Sequence, residues 1–312
     1  MTQQQGARRA QVVVVGSINM DMVSHSRRLP APGETLMGEA FVMAPGGKGA
    51  NQAVAAARLG APVAFVARVG TRQHGSELLA ALGEEGVDCA GVVADAQALP
   101  GVAVIMVATE GGENSIVYVP GSNAQLSAAD VQRSAALLQS AKVVVAQLEV
   151  PAPAILQAFE LAAAAGVTTI LNAAPALAVS DALLALSNWL VVNETEAGQL
   201  AGLPSGSLAQ ARLAAEALLR RGPEQVLVTL GAQGALLCSA AGMAQLPAQA
   251  VKAVDTVGAG DTFVGGLATG LAEGMAAADA VRLGQAAAAI AVSRSGVQSA
   301  MPRREELSKQ HP

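Results

Sequence analysis

The chain has 312 residues, 52% of them hydrophobic and 14% charged, so it can bury a large core and is expected to form one large α/β domain. Its 24 acids against 19 bases give a net charge of −5, which argues against a nucleic-acid-binding surface, because neutralising phosphates takes clustered Lys and Arg. Two cysteines, Cys89 and Cys238, stand without a CxxC spacing; they exclude a disulfide framework and point to a reducing, cytoplasmic setting.

Along the chain, MTQQQGARRA lacks the apolar run of a secretory signal and reads as a frayed tail. Gln11 opens VVVVG, a strand expected to be buried on both faces. Further buried strands are predicted at VAFVARVG after Ala61, KVVVAQLE after Ala141, VTTILN after Gly166, NWLVVNE after Ser187 and QVLVTLG after Glu224. Alanine-rich segments of helical length separate most of them, such as NQAVAAARLG ending at Gly60 and AQARLAAEALLRRG ending at Gly222. Strands alternating with helices predict a mainly parallel sheet covered on both sides. Residues from Asp255 to about Arg294 read as helices. The uncharged stretch Leu161 to Ser180 is broken by Gly166, Asn172 and Pro175; it reads as a helix end, a strand and a loop rather than a membrane span.

Two stretches interrupt the alternation. One starts at Val23 and carries Pro30, Pro32 and Gly33; the other starts at Gly101 and reads as a hairpin around Glu110, Gly111 and Gly112. They suit a small sheet standing off the main body. No sequence repeat and no long linker divides the chain, so residues 1–312 are expected to form a single unit.

Three glycine-bearing segments could carry chemistry. In GAGD, Gly258 to Asp261, glycines precede a predicted helix, whose N-terminus offers unpaired N–H groups and a favourable dipole to an anion. Asp261 suits either a helix cap or a general base that takes a hydroxyl proton during phosphoryl transfer. APGGKGAN, Ala44 to Asn51, has neither the GxxxxGK spacing with a following Ser or Thr nor GxGxxG. It reads as a turn starting a helix, or as a backbone surface for a polyhydroxylated ligand with Asn51 as donor and acceptor. GSINMD, Gly16 to Asp21, follows the first strand, where ligands bind in open α/β folds; an Asx turn is the plainer reading. Glu149, and Asn193 with Glu196, also follow buried strands and suit caps, ligand contacts or holders of hydrated magnesium. His25, His74 and His311 are widely spaced and give no triad or zinc pattern.

Taken together, these segments resemble the ribokinase-like (PfkB) carbohydrate kinase family. The resemblance runs from about Val12 to Pro302, through GSINMD, PAPGETLMG, GGKGANQAVAAARLG, QLE, NETEA, TLGAQG and DTVGAGDTF. It implies a three-layer α/β sandwich with a mainly parallel central sheet and a small β-sheet lid, the lid formed by segments at about 22–45 and 100–120. The implied activity is ATP-dependent phosphorylation of D-ribose at O5. Residue by residue, the resemblance makes Asp261 the base and Gly258, Ala259 and Gly260 the anion hole. Asn19, Asp21, Gly47, Lys48, Asn51 and Glu149, with Asp261, match the sugar site. Asn193, Thr229, Leu230, Gly231, Ala232, Gln233 and Gly234, with Gly260 and Gln285, match the nucleotide site. Asp255, Val257, Ala291, Arg294, Gly296 and Ala300 match ligands of an activating monovalent cation such as potassium; magnesium is expected with ATP. A homodimer paired through the lid is also implied.

There are departures from the family pattern. The chain reads Val192-Asn193-Glu194 where relatives often read PNE, and Asn172-Ala173-Ala174-Pro175-Ala176 where they read NPAPA. Ala300, with Ser299 beside it, stands where a serine is common, and Gln285 where His or Asn is common. Alternatives are a kinase of deoxyribose, fructose or a keto-acid sugar, a nucleoside kinase, or a non-catalytic sugar-binding protein. The 2% aromatic content speaks against stacking on a nucleobase, although Phe41 could serve. A base flanked by glycines speaks against mere binding.

Overall fold

The computed structural model describes residues 10–111 and 113–308; the predicted tail before Ala10, the hairpin residue Gly112 and His311 lie outside them. The strands are β1 (Val12–Val15), β2 (Asn19–Ser26), β3 (Ala40–Gly46), β4 (Val63–Gly70), β5 (Asp88–Asp95), β6 (Gly101–Ala108), β7 (Asn114–Val119), β8 (Val143–Gln147), β9 (Thr168–Asn172), β10 (Trp189–Asn193), β11 (Gln225–Thr229), β12 (Ala235–Ser239) and β13 (Gly242–Leu246).

Nine of them form one sheet in the order β13-β12-β11-β10-β9-β8-β1-β4-β5. Every pairing from β5 to β11 is parallel, and β12 and β13 add antiparallel at one edge. Each central strand is buried on both faces, which is why its sequence is a run of apolar residues rather than an alternation. Successive side chains nevertheless part company, as strand geometry requires. Val13 and Val15 join a core beneath helices such as Ala152–Ala164 and Leu208–Leu219. Val12 and Val14 join a second core beneath Lys48–Arg58, Ala259–Ala272 and Ala277–Ala291. The result is the expected three-layer sandwich.

The smaller sheet has the order β3-β2-β6-β7. It is mixed: β2 and β6 run parallel, and the outer pairings are antiparallel. Its first strand begins at Asn19, so Asn19 and Asp21 lie on β2 rather than in an Asx turn at the end of β1. Only Gly16, Ser17 and Ile18 separate the two sheets at this point. β5 and β13 are not apparent as strands, because they are the two edges of the sheet and their burial is mixed; β12 is a short run, ALLCS, set in an alanine- and glycine-rich stretch.

The helix Lys48–Arg58 sets the site. Its first turn lies hard against the end of β1: a Cβ on Gly49 would fall 2.6 Å from the Ser17 nitrogen. Glycine is therefore required there, and it brings Lys48, Asn51 and Gln52 to the carboxyl end of the parallel strands.

Candidate active site

Asp261 lies in the first turn of the helix Ala259–Ala272 and is only 7% exposed. The helix starts at Gly258, which has φ 76 and provides no capping side chain; that left-handed conformation favours glycine. The Gly258 carbonyl accepts the Thr262 N–H and hydroxyl, each at 2.9 Å. The Ala259 N–H turns back to the Thr256 carbonyl at 3.3 Å. A Cβ on Gly260 would meet no atom within 4 Å, so open space adjoins the helix start.

The Asp261 carboxylate accepts one hydrogen bond on each oxygen. Asn51 Nδ2 donates to Oδ2 at 3.0 Å and Gln52 Nε2 to Oδ1 at 3.0 Å. Gln52 Nε2 also donates to Asn172 Oδ1 at 2.9 Å, and Gln52 Oε1 accepts from Gln147 Nε2 at 2.6 Å. Asn51 Oδ1 accepts from Gln298 Nε2 at 3.0 Å. The Asp261 carboxylate therefore sits on a web of amides drawn from one helix, two strands and the C-terminal segment.

Beside it lies a charged pocket. Glu149 Oε2 accepts the Ser17 hydroxyl at 2.5 Å and the Lys48 N–H at 3.0 Å, so this carboxylate caps the N-terminus of Lys48–Arg58, where the helix dipole favours an anion. Asp21 packs on Gly46, where a Cβ would fall 2.1 Å from Asp21 Oδ2. Burial pushes the Asp21 carboxyl up to about 7; the charges of Glu149 and Asp261 add to the rise, and Lys48 opposes it. For the Lys48 ammonium, burial pulls downward, but Asp261, Glu149, Glu196 and Asp21 together hold it above the ordinary lysine value. Burial likewise raises Glu196. Asn19 is 3% exposed, and its Oδ1 accepts from Asn123 Nδ2 at 2.7 Å. The same Asn123 nitrogen lies 3.2 Å from the Tyr118 hydroxyl, which it reaches as donor. Burial and the nearby Glu149 hold that phenol well above its usual range. Asn19, Asp21, Gly47, Lys48, Asn51, Glu149 and Asp261 thus come together.

A cleft of about 550 Å³ opens on the other side of Gly260. Thr229, Gly231, Ala232, Gly234 and Gln285 line it, with Val251, Phe263 and Val292 among its apolar walls. Gln285 Nε2 donates to the Leu246 carbonyl at 2.9 Å. Three residues matched to the nucleotide site stand elsewhere. Leu230 is buried in the core, Gln233 is exposed outside the lining, and Asn193 caps the helix Glu194–Ala201 in a reciprocal box with Glu196, both bonds 2.8 Å.

The residues matched to a cation site converge in part. Asp255 Oδ1 accepts the Val257 N–H at 3.0 Å and Oδ2 accepts the Gly296 N–H at 3.1 Å. This ties the turn before Ala259–Ala272 to the segment after Ala277–Ala291. The Ala291 carbonyl accepts from Arg294 N at 3.1 Å, and the Arg294 side chain pairs with Glu306. Ala300 is buried with no polar side-chain atom. Among the described residues no group of three or more His, Cys, Asp or Glu is arranged to hold a metal; a site of backbone carbonyls would be of a different kind.

Several residues here are not singled out by the sequence. Gln52 follows Asn51 directly, and Gln147 interrupts the apolar run VVVAQLE; a polar residue inside a buried strand is the signal that marks it. Ser17, Tyr118, Asn123, Asn172 and Gln298 carry no comparable mark.

The sequence pattern of the pfkB family carbohydrate kinases matches residues 9–304. The chain is 42% identical over 298 residues to the ribokinase of Haemophilus influenzae, covering 96% of this chain and 97% of that one. It is 41% identical over 303 residues to the ribokinase of Mus musculus, covering 96% and 94%. Its fold is similar to that of Arabidopsis thaliana ribokinase complexed with ribose and ATP, with a TM-score of 0.88, 34% identity, and 96% and 98% of the two chains covered.

Proposed function

Because the chain belongs to the pfkB family of carbohydrate kinases, and is therefore a sugar kinase, we propose that it transfers the γ-phosphoryl group of ATP to O5 of D-ribose, giving ribose 5-phosphate. The observation that carries this reading is the placement of Asp261 and Gly260 at one helix start, with a pocket of sugar-binding character on one side and an open cleft on the other. The similarity to ribokinases, one of them bound to ribose and ATP, supports ribose as the sugar.

In this reading Asp21, Asn19, Lys48 and Glu149 hold the sugar hydroxyls, with Glu149 Oε1 lying outside the two bonds that Oε2 accepts from Ser17 and the Lys48 N–H. Asp261 takes the O5 proton as the oxygen attacks phosphorus. The N–H groups at the start of Ala259–Ala272 face the charge that develops on the phosphoryl oxygens, Gly260 leaving room for their approach. The Ala259 N–H is already turned toward Thr256, so Gly260 and the residues after it carry this part. Adenine occupies the apolar end of the cleft, between Val251 and Val292.

Magnesium enters with ATP, where it neutralises phosphate charge. Glu196 fits it: a hard oxygen donor beside Lys48 and Asp261, with Oε1 outside the capping box, able to hold the ion through its water shell. Potassium fits the turn at Asp255 and Val257 with the carbonyls of Ala291, Arg294 and Gly296, a set of oxygens that can replace its hydration shell; Ala300 adds only its carbonyl. The charge that potassium brings would hold that turn, and hence the helix start.

Homodimer formation through the lid is part of the same proposal. Val42, Val23, Ile105 and Ile116 stand in register across the small sheet, as do Met43, Met22, Val104 and Val117 on its other face. Val42, Ile116 and Val117 are 49%, 56% and 60% exposed, and contiguous exposed apolar surface marks an interaction site. A phosphoryl donor made and held inside cells, with two free thiols, supports a cytoplasmic location.

The test is a coupled ATP-consumption assay across ribose, deoxyribose, fructose and several nucleosides. Ribose is expected to give the highest kcat/KM; preference for another sugar or a nucleoside would overturn the assignment of ribose.

A further inference from the structure

A carboxylate can only accept hydrogen bonds. Ionised Asp261 therefore dictates how the amides around it are turned. Asn51 and Gln52 must both present their NH2 groups to it, as they do at 3.0 Å each. Their oxygens must then face away, and each meets a donor: Gln147 Nε2 on Gln52 Oε1, and Gln298 Nε2 on Asn51 Oδ1. The two donors differ in setting. Gln147 is wholly buried in β8, whereas Gln298 is half-buried in a short turn of the C-terminal segment.

That turn is clamped to the helix that carries Asn51. The Arg58 guanidinium, at the C-terminal end of Lys48–Arg58, reaches the carbonyls of Gln298 and Met301 and pairs with Glu85. The Gln298 side chain reaches back to Asn51 near the start of the same helix. Two residues earlier, the Gly296 N–H holds Asp255, in the turn that precedes Asp261. The segment 296–298 thus touches the mount of the base and the amide that orients it.

We propose that Gln298 is a positioning residue for phosphoryl transfer: by donating to Asn51 Oδ1 it fixes the Asn51 amide with Nδ2 toward Asp261 Oδ2, and so, with Gln52 on Oδ1, holds the carboxylate plane in one orientation toward the acceptor hydroxyl. Without that donor, the far side of the Asn51 amide is unanchored, and Nδ2 can swing away from the carboxylate. The proposal rests on Asp261 being the base.

The test is steady-state kinetics on Gln298→Glu and Gln298→Met, each in the wild-type chain and in an Asp261→Asn chain. Glu at 298 replaces the donor by an acceptor, so the Asn51 NH2 turns toward it and away from Asp261. kcat is expected to fall about 10–100-fold, the scale of a misplaced catalytic group, with the ATP KM unchanged. Gln298→Met, which removes the donor and keeps the length, is expected to fall less, by about 3–10-fold. In the Asp261→Asn chain neither substitution should lower kcat further, because residues that act as a unit are not additive. A normal kcat in both single variants, or an equal fall in both backgrounds, overturns the positioning role. Near wild-type turnover in Asp261→Asn alone would overturn the base assignment instead. If Gln298→Glu fails to fold, Gln298→Met carries the same cycle.

Discussion

A carboxylate that takes a proton from a sugar hydroxyl must be held still and yet remain reachable. Asp261 is held by Asn51 and Gln52. Asp261→Asn keeps the size and the helix-start position but cannot accept the proton; kcat is expected to fall roughly 10²–10⁴-fold with the thermal midpoint preserved. Asp21 poses a different residue-scale question, because burial raises its carboxyl to about 7. A folded-state value above the unfolded one means that the group's contribution to stability is full at low pH and lost as pH rises through about 7. Asp21→Asn is therefore expected to raise Tm over wild type at alkaline pH, and to change it much less near pH 5, in paired thermal melts. The same substitution should raise the ribose KM and leave the ATP KM alone. If Asp21 holds the sugar as proposed, its ionised form would accept the hydroxyls, so the wild-type kcat/KM for ribose is expected to decline as pH falls below about 7. In that reading the position serves binding at a cost to the fold, a common trade at active sites.

At the scale of elements, the turn 255–258 and the segment 292–300 are joined at Asp255, whose carboxylate accepts the Gly296 N–H and whose own N–H donates to the Val292 carbonyl at 3.2 Å. If potassium sits among their carbonyls, it acts on the helix start without touching the sugar. Turnover at saturating ribose and MgATP is expected to rise when KCl replaces tetramethylammonium chloride at fixed ionic strength, mainly in kcat, with a high half-saturating concentration because Ala300 brings no hydroxyl. Equal rates in the two salts, with tightly bound potassium excluded by elemental analysis, would contradict this. The same elements show what a sequence can carry. The runs VVVV and VVVAQ are legible as buried strands because burial on both faces leaves only apolar residues. The helix starts at Gly47 and Gly258 are legible because glycines cluster where backbone must approach closely. The edge strand β13 is not, since partial exposure removes the pattern. Nor is the web beneath Asp261. Gln52, Gln147, Asn172 and Gln298 are up to 246 residues apart along the chain (52 to 298) and meet only because five elements converge. Asn193, legible as a polar residue after a strand, serves in the structure as a helix cap.

For the whole molecule, the exposed apolar faces of the small sheet predict an association that can be broken by one charge. Ile116→Glu places a carboxylate in the row Val42–Val23–Ile105–Ile116; sedimentation is expected to shift from dimer to monomer, whereas wild-type sedimentation as a monomer would contradict the lid pairing. The ribose KM should rise with it and the ATP KM should not, because the cleft of Thr229, Val251 and Gln285 belongs wholly to the large body. This asymmetry follows from the three residues, Gly16 to Ile18, that separate β1 from β2. Asn19, Asp21 and Tyr118 stand on the small sheet, whereas Lys48 and Asp261, on helices, and Glu149, just past β8, belong to the large body. In the proposed site, a sugar held by Asn19 and Asp21 on one side and by Lys48 and Glu149 on the other would be a strut across that joint. Its residence time is then a property of the joint as much as of the pocket, and the nucleotide, docked on one side alone, comes and goes on a separate clock.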